Sequence, residues 1–255
     1  MAGLHLRDVC AGVVGGMRKL RLLDLFSGAG MFSLGLERTE RFETVGFCDI
    51  NPASRALLAH HWPGVPIYED VTTLEPFGPV DMVTAGFPCQ DISLAGKGAG
   101  ITGDRSGLFW HVIRTALLAG RPKLMLENVA ALLRRGMGVV LGALADCRYS
   151  AQWDCVSASD VGAPHGRNRL WIIADPERDE QSWPEPCFGQ VGRVGRFVKP
   201  LAWDGGWEAA LSTLRGMDDG LARSVDRTDL CRNGIVPQVV TEIGRAYLES
   251  IGETA

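Results

Sequence analysis

The chain has 255 residues, 46% hydrophobic and 22% charged, with a formal net charge of −4. This length and apolar content suit one large domain and exclude wholesale disorder. The acidic balance gives no whole-chain support for nucleic-acid binding, and no apolar run approaches the roughly 20 residues of a membrane span.

Residues 1–19 read as a loose extension: they mix His5, Arg7 and Asp8 with glycines and lack the apolar core and cleavage site of a signal peptide. Short apolar runs then predict strands at 20–26, 44–48, 67–68, 80–85, 123–127, 151–157 and 170–174. Between them, helical spacing is expected at 30–38, 52–60, 107–119 and 138–146. Asn51-Pro52 supplies a helix start, with Asn as cap and Pro in the first helical position. Alternating β and α elements predict an α/β fold with a mostly parallel sheet and helices on both faces. From Pro176 to Gly206, prolines, glycines and tryptophans appear without a period, so 176–224 is expected to be a short, loop-rich insert. Helical spacing returns over 237–251, which returns 225–255 to the main domain of 20–175.

The segment Gly86-Phe87-Pro88-Cys89-Gln90 is the most informative. It sets a cysteine in a turn just behind a buried strand, where open α/β sheets place their chemistry, and a thiolate is a strong nucleophile at neutral pH. The other cysteines form no CxxC pair, so no metal site is expected, and most are expected to be reduced and buried in a cytoplasmic protein. Upstream, Phe26-Ser27-Gly28-Ala29-Gly30-Met31 is a glycine turn between a strand and a helix, though not GxGxxG. Asp49 with Ile50 ends the second strand, and Asp70 with Val71 ends the third. Three such strand ends suit an adenosine-containing cofactor, with Asp49 on ribose hydroxyls and Asp70 at an adenine edge. The alternative is that the glycines only shape a turn and Asp49 only caps the next helix. Between Gln90 and Trp171, ten basic residues face six acidic ones, a local excess of four that suits either a phosphate backbone or a solvated surface.

Taken together, these motifs resemble the DNA (cytosine-5) methyltransferases, in collinear order. Asp24-Leu25-Phe26-Ser27-Gly28-Ala29-Gly30 is similar to the family's S-adenosylmethionine motif. The stretch from Gly86 through Ser93, continued by Gly96-Lys97 and Gly103-Asp104-Arg105, resembles its catalytic loop. Glu127-Asn128-Val129 matches ENV, Pro164-His165-Gly166-Arg167-Asn168-Arg169 resembles QxRxR, and Arg232-Asn233-Gly234-Ile235-Val236-Pro237 resembles the closing motif. The chain departs from the pattern at His165, Arg232 and Ile50, and the insert is short for a target recognition region.

The resemblance implies a Rossmann-like class I methyltransferase fold and S-adenosylmethionine as cofactor, held by the Phe26–Met31 turn, Asp49, Ile50, Asp70, Val71, Phe87, Asn233 and Gly234. It implies that Cys89 adds to carbon 6 of a flipped-out cytosine, Glu127 acts at N3, Arg169 contacts O2 and restrains Glu127, and Arg167 orients the site. Phe87, Pro88, Gln90 and Val129 would wall the base pocket, while Ser93, Lys97 and Arg105 would touch DNA. In the insert, Arg193 and Arg196 suit a small DNA-reading patch or, alternatively, a structural loop. The expected partner is double-stranded DNA, met by a monomer without metal, as in the modification half of restriction–modification. RNA, specifically tRNA, is the alternative substrate. A catalytically silent homologue is a second alternative, and a cysteine hydrolase a third; the hydrolase would leave the glycine turn unexplained.

Overall fold

The computed structural model describes residues 18–75, 78–88, 107–176 and 234–253. In chain order these form β1 (Leu20–Leu25), α1 (Met31–Glu37), β2 (Phe42–Cys48), α2 (Pro52–His61), β3 (Ile67–Tyr68) and β4 (Met82–Gly86). Then come α3 (Leu108–Leu118), β5 (Lys123–Val129), α4 (Leu132–Arg135), α5 (Met137–Asp146), β6 (Tyr149–Ser157), β7 (Asn168–Pro176) and α6 (Pro237–Ser250). A single 3-10 turn, Ala158–Val161, links β6 to β7.

The seven strands make one sheet in the order β3-β2-β1-β4-β5-β7-β6. Pairings from β3 to β5 are all parallel, whereas β7 runs antiparallel to both β5 and β6. The expectation of a mostly parallel sheet therefore holds, with one reversed strand near an edge. β1 reads Leu-Arg-Leu-Leu-Asp-Leu without alternation because a central parallel strand is covered on both faces; Leu22, Leu23 and Leu25 are all fully buried. One core joins the sheet to α3, α4 and α5, and a second joins its other face to α1 and α6.

Asn51 caps α2 as expected, accepting from Ala53 N at 2.9 Å with Pro52 following. Two strands run past their expected ends for the same reason. β5 continues to Val129 and β7 begins at Asn168 because Val129 pairs with Arg169, a partner that local periodicity does not reveal. Glu127 therefore lies within the strand rather than at its last position. Among the described cysteines only Cys48 is buried, while Cys147 and Cys155 are half-buried, so burial is less general than expected.

The last helix is locked to α1 by close backbone approach. A Cβ on Gly35 would stand 2.7 Å from the Pro237 carbonyl oxygen and against Val240, and Thr241 Oγ1 donates to the Gly35 carbonyl at 2.8 Å. Because Pro237 backbone cannot yield as a side-chain tip can, Gly35→Ala is expected to destabilise the protein by about 1–3 kcal/mol in urea unfolding. An unchanged midpoint would show that α6 does not press on α1.

Candidate active site

β1 sits where the chain reverses direction across the sheet, with β2 on one side and β4 on the other. Ligands of open α/β sheets bind at the strand ends beside such a switch point. The register sets the row there: Leu25 pairs with Ala85, Ala85 with Leu126, and Gly86 with Glu127. The glycine turn after β1, the Gly86 turn after β4 and Glu127 on β5 thus share one edge of the sheet, with β1 and β5 about 10 Å apart across two strand spacings.

The turn after β1 is tightly organised. Ser27 Oγ donates to the Asp24 carbonyl at 2.6 Å and accepts from Cys48 N at 3.2 Å, tying β1 to β2. Gly28 N donates to Asp49 Oδ2 at 2.7 Å, while Asn51 N donates to the other oxygen at 2.8 Å. Asp49 therefore both shapes the turn and secures the approach to α2, which is its structural role. Phe26 adopts φ 54° although it is not glycine, and a conformation of that kind persists only where its surroundings enforce it. Gly30 has φ 74°, and a Cβ there would meet the Trp62 ring at 2.6 Å. Beneath the turn, the fully buried Asp24 carboxyl accepts from Ser33 at 3.0 Å and Thr84 at 2.7 Å, joining β1, α1 and β4. Burial pushes its pKa up to about 7 against those hydrogen bonds.

The fit of this cradle to S-adenosylmethionine rests on three features. Among the described residues no atom lies within 4 Å of a Cβ placed at Gly28, which leaves space for a ligand against the turn. Asp49 keeps free lone pairs for hydroxyls. Ile50 is 75% exposed beside it, an apolar surface that no described residue covers. Asp70 lies at the end of β3, where backbone and side-chain hydrogen bonds from Thr72 hold its carboxyl below the usual range. Val71 turns its side chain into the core, which leaves only its backbone for a ligand. Ala29 is buried, Met31 half-buried, and Gly234 half-buried before α6.

On the other side, Glu127 is 9% exposed and pairs through Oε1 with Arg169 Nε at 3.0 Å. Burial raises its pKa to about 7, opposed by the charges of Arg169 and then Arg167. Its Oε2 would stand 3.6 Å from a Cβ on Gly86, and Ile235 approaches the same point at 3.3 Å. Glycine at 86 thus lets the carboxyl lean over the end of β4. Phe87 is buried against Phe109, with ring centres 5.1 Å apart, whereas Pro88 is exposed and Val129 borders solvent. Arg167 is half-buried near Glu127, and His165, standing for the family's Gln, is exposed.

Asn128, the middle residue of Glu127-Asn128-Val129, has a role that the sequence alone does not reveal. Its Nδ2 donates to the Phe87 carbonyl at 2.9 Å and its Oδ1 accepts from Val129 N at 2.8 Å. That buried amide pins the backbone two residues before Cys89. The only signal in the sequence was its place in ENV. Cys89, Gln90, Ser93, Lys97, Arg105, Arg193, Arg196 and Asn233 lie outside the described residues, as does the insert from 177 onward.

A seven-stranded, mostly parallel sheet with a glycine turn after β1 and a charged pair at the β5–β7 edge defines a Rossmann-like class I methyltransferase fold. Solved structures share it: the Dnmt2 methyltransferase of S. pombe superposes with a TM-score of 0.63 at 15% identity, covering 91% of this chain and 98% of that one. A DNMT2 mutant from Spodoptera frugiperda gives 0.53 at 22% identity, covering 65% and 52%. The family model for the C-5 cytosine-specific DNA methylases matches residues 20–191, and the chain belongs to that family. Type II methyltransferase M2.BsuMI of Bacillus subtilis (strain 168) is 34% identical over 163 residues, 61% of this chain and 42% of the relative. Type II methyltransferase M.NlaIV of Neisseria lactamica is 31% identical over 214 residues, 72% and 50% respectively. The chain thus spans about half the length of these curated relatives. Among the described residues no helix is long and apolar enough to cross a membrane.

Proposed function

We propose that this protein methylates carbon 5 of cytosine in double-stranded DNA, with Cys89 as nucleophile and Glu127 as the acid at N3. The observation that carries the reading is the pairing of the buried Glu127 with Arg169 at the strand edge beside Gly86, the residue that precedes Cys89 by three positions. A carboxyl titrating near neutrality can hold a proton for the base, which an exposed glutamate could not do at pH 7. Arg169 limits the carboxyl to one orientation and presents its remaining N–H groups to a carbonyl such as cytosine O2. Asn128 fixes the backbone from which the Cys89 loop departs. Addition of the thiolate to carbon 6 makes carbon 5 nucleophilic, and loss of the carbon 5 proton later frees Cys89. The target atom is buried in duplex DNA, so the base must be extruded first.

The cofactor in this reading is S-adenosylmethionine, which supplies an electrophilic methyl group when bound. Gly28, Asp49, Ile50 and Asp70 hold it, and residues 20–175 with 225–255 form the catalytic unit. The short segment 176–224 then reads the DNA target, with Arg193 and Arg196 as base or phosphate contacts.

The test is label transfer from radioactive S-adenosylmethionine to duplex DNA, to RNA, or to neither. Label in DNA alone supports the proposal, label in RNA alone moves the substrate to RNA, and label in neither leaves a binding protein. For the cradle, Asp49→Ala removes the acceptor of Gly28 N and is expected to weaken S-adenosylmethionine binding about 10- to 100-fold by calorimetry. An unchanged Kd would place the cofactor elsewhere.

A further inference from the structure

Trp171 lies directly across from Glu127 in the β5–β7 pairing and is 1% exposed. Its ring meets Phe32 of α1 edge-on, with centres 5.6 Å apart. The indole Nε1 is buried and donates to no acceptor among the described residues. A buried indole N–H normally has a partner, and where the protein offers none an ordered water in a polar cavity supplies it. A small pocket, partly open to solvent and with room for about one water, lies beside it, lined by Trp171, Glu127, Arg167, Arg169, Val156, Val236 and, on α6, Val239.

The lining dictates the polarity of the contact. Arginine, tryptophan and valine side chains accept nothing, so among the described lining residues Glu127 carries the only side-chain acceptor. We propose that Trp171 is a positioning residue for Glu127, holding one internal water that accepts from the indole N–H and donates to the Glu127 carboxyl. The carboxyl is then steadied from two sides, by Arg169 at Oε1 and by the water. The water site stands on the cavity and the indole; its catalytic consequence rests on the methyl-transfer reading. Among the described residues, the charged groups facing Glu127 are Arg169 and Arg167. Gly86 of β4, Val156 of β6 and Val236 and Val239 of α6 bring no titratable group, and Glu242 further along α6 is paired with Arg245 at 2.7 Å. A donated hydrogen bond favours the ionised carboxylate, so losing the water should make Glu127 hold its proton to higher pH.

The test uses the full chain with labelled tryptophan indoles and glutamate carboxyls, followed by NMR from pH 5 to 9, with the Trp171 signal assigned through its backbone. In the wild type the Trp171 indole proton is expected to cross-relax with water and to move with a midpoint near 7, and in Glu127→Gln that movement disappears. In Trp171→Phe the Glu127 midpoint is expected to rise by about one pH unit, with the alkaline limit of methyl transfer following it. An indole proton that sees no water, or that ignores the Glu127 titration in the wild type, overturns the proposal without needing any tryptophan variant to fold. So does a Glu127 midpoint unmoved in a folded Trp171→Phe protein. A coupled titration without methyl transfer keeps the water site and removes the catalytic reading. Methyl transfer with an uncoupled indole does the reverse.

Discussion

Cys89→Ala is expected to abolish methyl transfer to DNA, by at least about 10⁴-fold, while S-adenosylmethionine binding stays within about twofold of the wild type. Carbon 5 of cytosine is too electron-poor to take a methyl group unaided, and the covalent bond to carbon 6 is what changes that. Among the described residues no other group near the strand edge replaces a thiolate in this role: Glu127 is held by Arg169, and Cys48 is buried in the core with its thiol pushed up to about 12 by burial and by Asp49. The cradle residues Gly28 and Asp49 follow β1 and β2 and hold each other through their own hydrogen bond, so cofactor affinity should be insensitive to the change. The clearest readout is trapping on duplex DNA that contains 5-fluorocytosine, where the blocked carbon 5 stops release of the enzyme. Wild type should form a denaturation-resistant adduct and Cys89→Ala none. An adduct that survives in the alanine variant would falsify the assignment of the nucleophile.

Glu127→Gln is expected to lower methyl transfer by about 10²- to 10⁴-fold and to erase the alkaline limb of its pH profile. The sign follows from the geometry. Burial disfavours the carboxylate and raises the pKa from its ordinary 4.5 to about 7, with Arg169 and Arg167 restraining the rise. The protonated, donating form is therefore dominant below about pH 7 and is lost above it, so kcat/KM of the wild type should fall about tenfold per pH unit on the alkaline side. A glutamine keeps the shape and a hydrogen-bond donor but cannot give up a proton, so the residual rate should no longer carry that limb. Substrate DNA binding should change little, which separates loss of chemistry from loss of structure. A profile flat from pH 6 to 9 in the wild type would remove Glu127 from the role of acid.

Much of this protein was legible before any coordinates. The unalternating leucines of β1, the Asn51-Pro52 start of α2, the glycine turn at Gly28 and the apolar run of β4 that ends at Gly86 are short-range features. Backbone sterics, capping and two-sided burial determine them within a few residues, and they set the α/β class, the strand ends and the candidate nucleophile. What only the tertiary structure decided involves partners far apart in the chain. The reversed β7 enters between β5 and β6 and carries Arg169 to Glu127 and Trp171 into line with it, across 42 and 44 residues of sequence. The same folding brings Asn128 to the Phe87 carbonyl and lets α6 close against Gly35. Hydrophobic periodicity states that a strand will be buried, but not which neighbour it takes. The carboxyl's burial, its arginine partner and hence its neutral-range titration arise only once that neighbour is chosen.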